Sequence, residues 1–296
     1  MQIDLHIHTT HSDGTETPKE IIKQAIKSGI EIISFTDHDS VGAYADLGGI
    51  RPDNLTIING VELSFIDNNN SKHMLGYGID LNVIQKFLDS IHSPKQNIKR
   101  QTTCLNKFSN LLKSKGFKID DNLEIKTGNT SEAYQLCYNS ISSYPENVEK
   151  FPFIACGRTK FYWDYFNNPN SEFFIGQNDG LPNMKEVIDV IHNAGGLAFI
   201  AHPFYYNRDI GEVNRLIDEA IKNNVDGIEV KHSSNQGNDV EYLTKIATNN
   251  GLFICGGSDY HGLKSKPEIK LGTGKGNIMV DFNEISNWFD KIKKRS

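Results

Sequence analysis

Apolar and polar positions follow two different rhythms along this chain. Gln2 to Ile7 reads as a short strand, and Ile30 to Phe35, rich in β-branched residues, reads as a buried parallel strand. Between them, Thr17-Pro18-Lys19-Glu20 predicts a helix start, with Thr17 as the cap, Pro18 at the first helical position and Glu20 three residues after the cap. Ile21, Ile22, Ala25 and Ile26 form its apolar stripe, and Gly29 ends it. Leu55 to Leu63 and His73 to Ile79 predict two more strands around the polar turn Asp67-Asn68-Asn69-Asn70. The same alternation returns late in the chain. Helices are predicted over Met184 to Ala194, Glu212 to Asn223, Val240 to Asn249 and Asn283 to Lys293. Strands are predicted over Leu197 to Ala201, Asp226 to Val230, Leu252 to Cys255 and Asn277 to Val280. Residues 81–180 differ: they are rich in Lys, Asn and Ser, carry helical apolar spacing (Leu105, Phe108, Leu111, Leu112), and close on the aromatic run Phe161 to Phe166. The pattern predicts an α/β domain of residues 1–80 and 181–296, interrupted by a mostly helical cap insertion over 81–180.

The polar residues of the α/β part gather at strand ends, which favours a closed barrel over an open sheet. The first strand ends in His6-Ile7-His8, an alternation that puts both imidazoles on one face. Asp13 follows in the next loop, His38 lies in Thr36-Asp37-His38-Asp39, Glu62 in Gly60-Val61-Glu62-Leu63, and His73 opens the next strand. Later strands run into His202 and into Ser258-Asp259-Tyr260-His261. In a parallel barrel these side chains converge at one mouth. So many imidazoles and carboxylates in one cleft require cations to offset their desolvation and repulsion. Without thiolates, the set suits Mn, Fe or Zn, and Mg less well. The donors outnumber what one ion uses, so two or three ions sharing a bridging carboxylate fit. Water held between two such ions would be activated as a nucleophile, with no covalent intermediate needed.

Composition narrows the partners. The 296 residues carry 31 Lys+Arg against 37 Asp+Glu, a formal charge of −6. A broad basic surface for a long nucleic acid duplex is therefore not expected, whereas an anionic small molecule fits if the site's own cations dominate the local field. Cys104, Cys137, Cys156 and Cys255 form no C-x-x-C pair, so free thiols in a reducing cytoplasm are expected. No apolar run approaches the ~20 residues of a membrane span, and no signal peptide precedes the first strand.

Five segments, D-L-H-I-H-T-T-H-S-D-G, F-T-D-H-D, G-V-E-L-S, A-G-G-L-A-F-I-A-H-P and C-G-G-S-D-Y-H-G, resemble in order the motifs of the PHP (polymerase and histidinol phosphatase) metallo-phosphoesterases. The resemblance covers roughly residues 1–80 and 180–282. It implies a distorted (β/α)7 barrel with a trinuclear site at the strand ends. It also implies that His6, His8, Glu62 and Asp259 hold a first ion, that Glu62 bridges to a second completed by His73 and His202, and that Asp13, His38 and His261 hold a third. The implied activity is hydrolysis of a small phosphorylated metabolite, a nucleotide such as a nucleoside 3′,5′-bisphosphate. Two rivals are a nuclease on short oligonucleotides and amidohydrolase-like C–N hydrolysis.

Further residues surround this set. His11 is a candidate general acid for the leaving group, and His232 and Tyr205 are candidates to touch substrate at the rim. Asp37 and Asp39 read as partners that orient imidazoles. Gly157-Arg158-Thr159-Lys160 resembles the G-R-x-H element in the caps of small-molecule PHP phosphatases. It makes Arg158 the leading phosphate clamp, with Lys160 replacing the usual histidine. The run Phe161 to Phe166 reads as an anchor holding the cap to the barrel, and His192 as an ordinary helix residue. Leu271 to Gly276 lacks phosphate-loop spacing and reads as a turn.

Overall fold

The computed structural model describes residues 2–50, 52–68, 70–129, 131–168, 170–176 and 180–293. Seven strands form one sheet in chain order: β1 (Gln2–Ile7), β2 (Ile30–Phe35), β3 (Thr56–Asp67), β4 (Asn70–Tyr77), β5 (Leu197–Ile200), β6 (Gly227–His232) and β7 (Phe253–Gly257). Neighbours pair in parallel from β1 to β3 and from β5 to β7. The exception is β4, which runs antiparallel to β5 and corrects the expectation of an all-parallel barrel. A strand of reversed direction presents its first residues, rather than its last, at the mouth. His73 therefore lies beside the end of β5, where its carbonyl accepts from the Ala201 amide at 3.2 Å.

The sheet curls until its edges meet. His8 N donates to Tyr260 O at 2.8 Å and Asp259 N to His6 O at 2.9 Å, tying β1 to the segment that follows β7. This approach depends on Gly257, because a Cβ there would stand 2.3 Å from the His6 amide nitrogen. Asp4, buried on β1, reinforces the seam by accepting from Ser258 N at 2.8 Å, Ser258 Oγ at 2.6 Å and Gly272 N at 2.7 Å. The loop around Gly272 is a turn, as expected. The predicted strand Asn277 to Val280 shrinks to a single antiparallel bridge between Val280 and Ile3, which leaves seven strands.

The helices follow from local chemistry. Helix Pro18–Lys27 carries the reciprocal Thr17–Glu20 capping box read from the sequence, and Asn183 with Glu186 builds a second one on helix Met184–Asn193. Helix Phe282–Lys293 belongs to the apolar core of Ile3, Leu5, Tyr77, Phe199 and Trp288. Trp288 stacks on Tyr77 at 5.6 Å and donates its indole N–H to Ile254 O at 2.9 Å.

The chain divides into two compact units. The barrel unit comprises Met1–Asp67, Ser71–Leu88 and Pro182–Ser296, and the second unit comprises Asn68–Asn70 and Asp89–Leu181. The second has its own core, in which Cys104, Leu105, Phe108 and Leu112 of helix Pro94–Ser114 join Ala133, Tyr134, Cys137 and Ile141 of helix Glu132–Ser143. Phe161 and Phe166 sit in that same core, 0% and 1% exposed. This corrects the reading of the aromatic run as an anchor to the barrel, since its buried rings complete the core of the insertion itself.

Candidate metal centre

β1 carries His6 and His8 into the barrel mouth with both side chains 0% exposed. Four donor atoms converge there. His6 Nε2 lies 3.2 Å from His8 Nε2, each is 3.2 Å from Glu62 Oε2, and Asp259 Oδ1 is 3.2 Å from His8 Nε2 and 3.6 Å from His6 Nε2. The other carboxylate oxygen of Glu62 faces a different group, with His202 Nε2 at 2.8 Å and His73 Nδ1 at 3.1 Å. Glu62 is fully buried, and its two oxygens meet different imidazoles, Oε2 those of His6, His8 and His38 and Oε1 those of His73 and His202, in donor groups that overlap.

A third cluster lies further out. His261 Nε2 is 3.2 Å and His38 Nε2 4.0 Å from Asp13 Oδ2, while His8 Nδ1 is 3.5 Å from Asp13 Oδ1. The Asp13 side chain is 56% exposed and that of His38 29%. All nine residues singled out by the strand-end pattern are therefore gathered into groups whose donor atoms lie within 4.8 Å of one another.

The chemistry of the donors suits divalent ions. His38 Nδ1 and His73 Nδ1 are buried and 3.1 Å from Glu62 oxygens, yet neither is aligned for a hydrogen bond. Buried ring nitrogens close to a carboxylate with no hydrogen bond between them are a disposition that a shared cation resolves. Burial dominates His38 and His202 and holds their imidazoles down at about 3 and about 4, so both are neutral donors at physiological pH. Burial opposes ionisation of Glu62, but His73, His6 and His38 outweigh it and keep the carboxyl well below its ordinary range. Asp259 behaves likewise, with His232 and His8 overcoming its burial.

Backbone strain is concentrated here. His202 has φ 29° and Asp259 φ 57°, both in the left-handed region that favours glycine. Such conformations persist where the surroundings over-determine them, and both residues are held by their neighbours. The His202 amide donates to Glu229 Oε2 at 2.8 Å, and the Asp259 amide is bound by β1.

Glu229 is the main residue that the strand-end pattern missed. It is 0% exposed, and its Oε1 pairs with His6 Nδ1 at 2.7 Å, which leaves Nε2 of that ring facing the cluster. The available signal was a lone charge inside the apolar stretch Gly227-Ile228-Glu229-Val230, where burial demands a partner. Lys266 was also missed; its Nζ reaches Asp259 Oδ2 at 3.0 Å and His261 Nε2 at 3.4 Å from the loop after β7.

Several expectations change. His232 is buried at 2% exposure rather than displayed on the rim, with Nε2 3.5 Å from Asp259 Oδ2 and Nδ1 2.7 Å from Ser234 Oγ. With Glu229 and His6 it forms a further donor group. His11 is engaged elsewhere: its Nε2 lies 2.8 Å from Asp46 Oδ2, and it joins none of the donor groups among the described residues. Asp37 supports the loop rather than an imidazole, accepting from Thr9 N at 2.7 Å and Ser12 Oγ at 2.6 Å. Asp39 receives the Ser64 amide at 2.9 Å. Tyr205 is 61% exposed with its ring 5.2 Å from that of His202. In the second unit Arg158 is exposed, and no carboxylate pairs with its guanidinium among the described residues. Lys160 is paired with Asp164 on the exposed surface, so its ammonium is already engaged.

The model of the PHP domain family matches residues 4–230. Among curated relatives, the 5′-3′ exoribonuclease Rnm of Escherichia coli is 27% identical over 91% of this chain and 87% of its own length. The 3′,5′-nucleoside bisphosphate phosphatase of Chromobacterium violaceum is 27% identical over 88% and 87%. Among solved structures, a chain from Bifidobacterium adolescentis described as a metal-dependent phosphoesterase superposes with a TM-score of 0.58 at 25% identity, covering 98% of this chain and 96% of that one.

Proposed function

The chain belongs to the PHP domain family and is a metal-dependent hydrolase of phosphoric esters, and on that premise we propose that it acts on a nucleotide-sized substrate, a nucleoside 3′,5′-bisphosphate being the leading case. The observation that carries the reading is Glu62, a buried carboxylate whose two oxygens serve two imidazole clusters. His6, His8, Glu62 and Asp259 would hold one ion, Glu62, His73 and His202 a second, and Asp13, His38 and His261 a third. The all-nitrogen-and-oxygen donor set supports Mn, Fe or Zn, with Mg possible. Divalent ions bound there supply Lewis acidity toward the phosphoryl oxygens and lower the pKa of water.

The protein's own residues do the positioning. Glu229 fixes the tautomer and aim of His6 and, through the amide, the place of His202. Asp37 holds the Thr9–Ser12 loop, and with it Ser12 Oγ, 3.4 Å from His8 Nδ1. Arg158 is proposed as the phosphate clamp, a role supported by its motif and by a guanidinium with no carboxylate partner among the described residues. Four cysteines that form no disulfide with one another, three of them buried, support action in the reducing cytoplasm. The Escherichia coli relative supports a second reading, removal of residues from the 5′ end of a short RNA.

A phosphate-release screen distinguishes these readings. The protein is stripped with chelator, reloaded with Mn²⁺, and offered nucleoside bisphosphates, monophosphates, a 5′-phosphorylated oligonucleotide and an amide. Release from the bisphosphate above all others is expected, with Arg158→Ala retaining its metal while losing activity. Preferred cleavage of the oligonucleotide selects the second reading, and activity that survives exhaustive chelation ends both.

A further inference from the structure

One cation beside the metal cluster forms no ion pair among the described residues, although Asp67 and Glu212, both held by Arg215, act on it at longer range. Lys72 precedes His73 on β4 and is half-buried, with its Nζ 4.1 Å from the centre of the Tyr206 ring. Among the described residues no carboxylate pairs with that ammonium. The neighbouring cations are satisfied: Arg215 is held by Asp67 at 3.0 and 2.5 Å and by Glu212 at 3.0 Å, and Lys266 by Asp259 at 3.0 Å. Tyr206 adds a second unsatisfied group. Its hydroxyl is buried beside the His73 backbone, and its O–H has no acceptor among the described residues. Its ring lies 5.0 Å from that of His202 and 5.9 Å from that of His73, the two imidazoles that meet Glu62 Oε1, and the Lys72 ammonium sits on that same ring. Tyr205 stands next to it, 5.8 Å from Tyr206 ring to ring, with 61% of its surface exposed.

A half-buried ammonium on an aromatic face and a buried hydroxyl without an acceptor are complementary to one ligand chemistry, a phosphate oxygen. An exposed ring beside them offers a stacking face for a base. We propose that Lys72, Tyr206 and Tyr205 form a subsite for the second, non-scissile phosphate and the base of the substrate, on the His73 and His202 side of the metal centre. This inference rests on the phosphoesterase reading and sharpens it: the preferred substrate carries two phosphates separated by a nucleoside, whether a free bisphosphate or the 5′ end of an oligonucleotide.

The test uses full-length, Mn²⁺-loaded protein. Calorimetric titration compares slowly hydrolysed phosphorothioate analogues of adenosine 3′,5′-bisphosphate, of each adenosine monophosphate and of a 5′-phosphorylated dinucleotide. Bound metal is measured in parallel, and kcat/KM is determined for the corresponding natural esters. In Lys72→Met the affinity ratio of bisphosphate to monophosphate is expected to fall about ten-fold or more. Tyr206→Phe, which keeps the ring, should show a smaller drop, and Lys72→Arg should recover most of the ratio. Metal content should not change. The dinucleotide arm identifies the source of the second phosphate: a drop there as large as for the bisphosphate marks an oligonucleotide end as an equal occupant. An unchanged ratio in both Lys72→Met and Tyr206→Phe overturns the subsite, as does an equal loss for mono- and bisphosphate. If the wild-type protein hydrolyses none of the esters while the ratio still falls, the functional reading fails and the subsite stands.

Discussion

In the barrel unit the buried residues include Asp4, His6, His8, Glu62, His202, Glu229, Asp259 and His261, whereas in the second unit the buried polar side chains among the described residues are Gln101, Ser140 and Asn147. The three in the second unit are neutral and locally satisfied. Gln101 Oε1 accepts from the Ala133 amide at 2.9 Å, Ser140 Oγ meets Asp120 at 2.7 Å, and Asn147 donates to Lys118 O at 2.6 Å and Ile141 O at 2.9 Å. Its ion pairs, such as Lys113–Asp121 and Lys118–Glu146, are on the surface and contribute little. The barrel's charges answer mainly to one another, and several ring nitrogens are left without a partner. Burial of polar groups with complete pairing is a way to specify a fold. Burial of charges with incomplete pairing costs stability and implies a bound cation.

The largest effect expected from breaking this contrast lies in the insertion. Phe161→Ala removes a ring stacked within 5.4 Å of Tyr138 and 5.2 Å of Tyr165, and should destabilise the protein by about 3–5 kcal/mol in denaturant unfolding. In the barrel, Glu62→Gln should lower kcat/KM by more than about 100-fold, beyond the range for losing a residue that only supports a ligand. Metal analysis should show ions missing from the same preparation; a fully loaded, active variant would remove Glu62 from the centre of the site. Glu229→Gln keeps shape and burial but weakens the hold on His6, and should cost about 10–100-fold in metal affinity or activity, read by competition with a chelating dye.

The smallest effect concerns acid stability of the insertion. Slight burial works against ionisation of Glu132, but the Thr127 hydroxyl and the amides of Lys126, Thr127 and Gly128 hold its carboxyl down at about 2. Its folded value lies below its unfolded one, so its contribution is present above about pH 4.3 and is lost as pH falls toward 2. The difference in urea midpoint between wild type and Glu132→Gln should shrink over that window. A difference independent of pH would show that the carboxylate's charge is not the stabilising feature.

How much was legible in the sequence depended on range. The Thr17–Glu20 box, the helix over Pro18–Lys27 and the strand over Ile30–Phe35 are set by residues within a few positions of one another, and each matches its local pattern. The nine strand-end residues were legible because alternation and position relative to a strand end suffice to place a side chain at the mouth. Glu229 was not, since a charge in mid-strand has no meaning until closure of the sheet brings β6 within reach of β1. The Asp46 partner of His11 was not legible for the converse reason: proximity in the chain to His8 and Asp13 says nothing of a carboxylate 35 positions away.

The order of apolar and polar residues by itself determined that strands and helices alternate, that an insertion of helical texture interrupts them, and that imidazoles and carboxylates recur at strand ends. Those facts are local, and local sterics and hydrogen bonding enforce them. Tertiary structure alone decided that β4 runs backward so that His73 faces the mouth, that Glu62 divides its two oxygens between two sets of imidazoles, and that the Lys72 ammonium rests on the Tyr206 ring. Each depends on which distant backbone closes against which, and a buried charge takes its role from the neighbours that closure supplies.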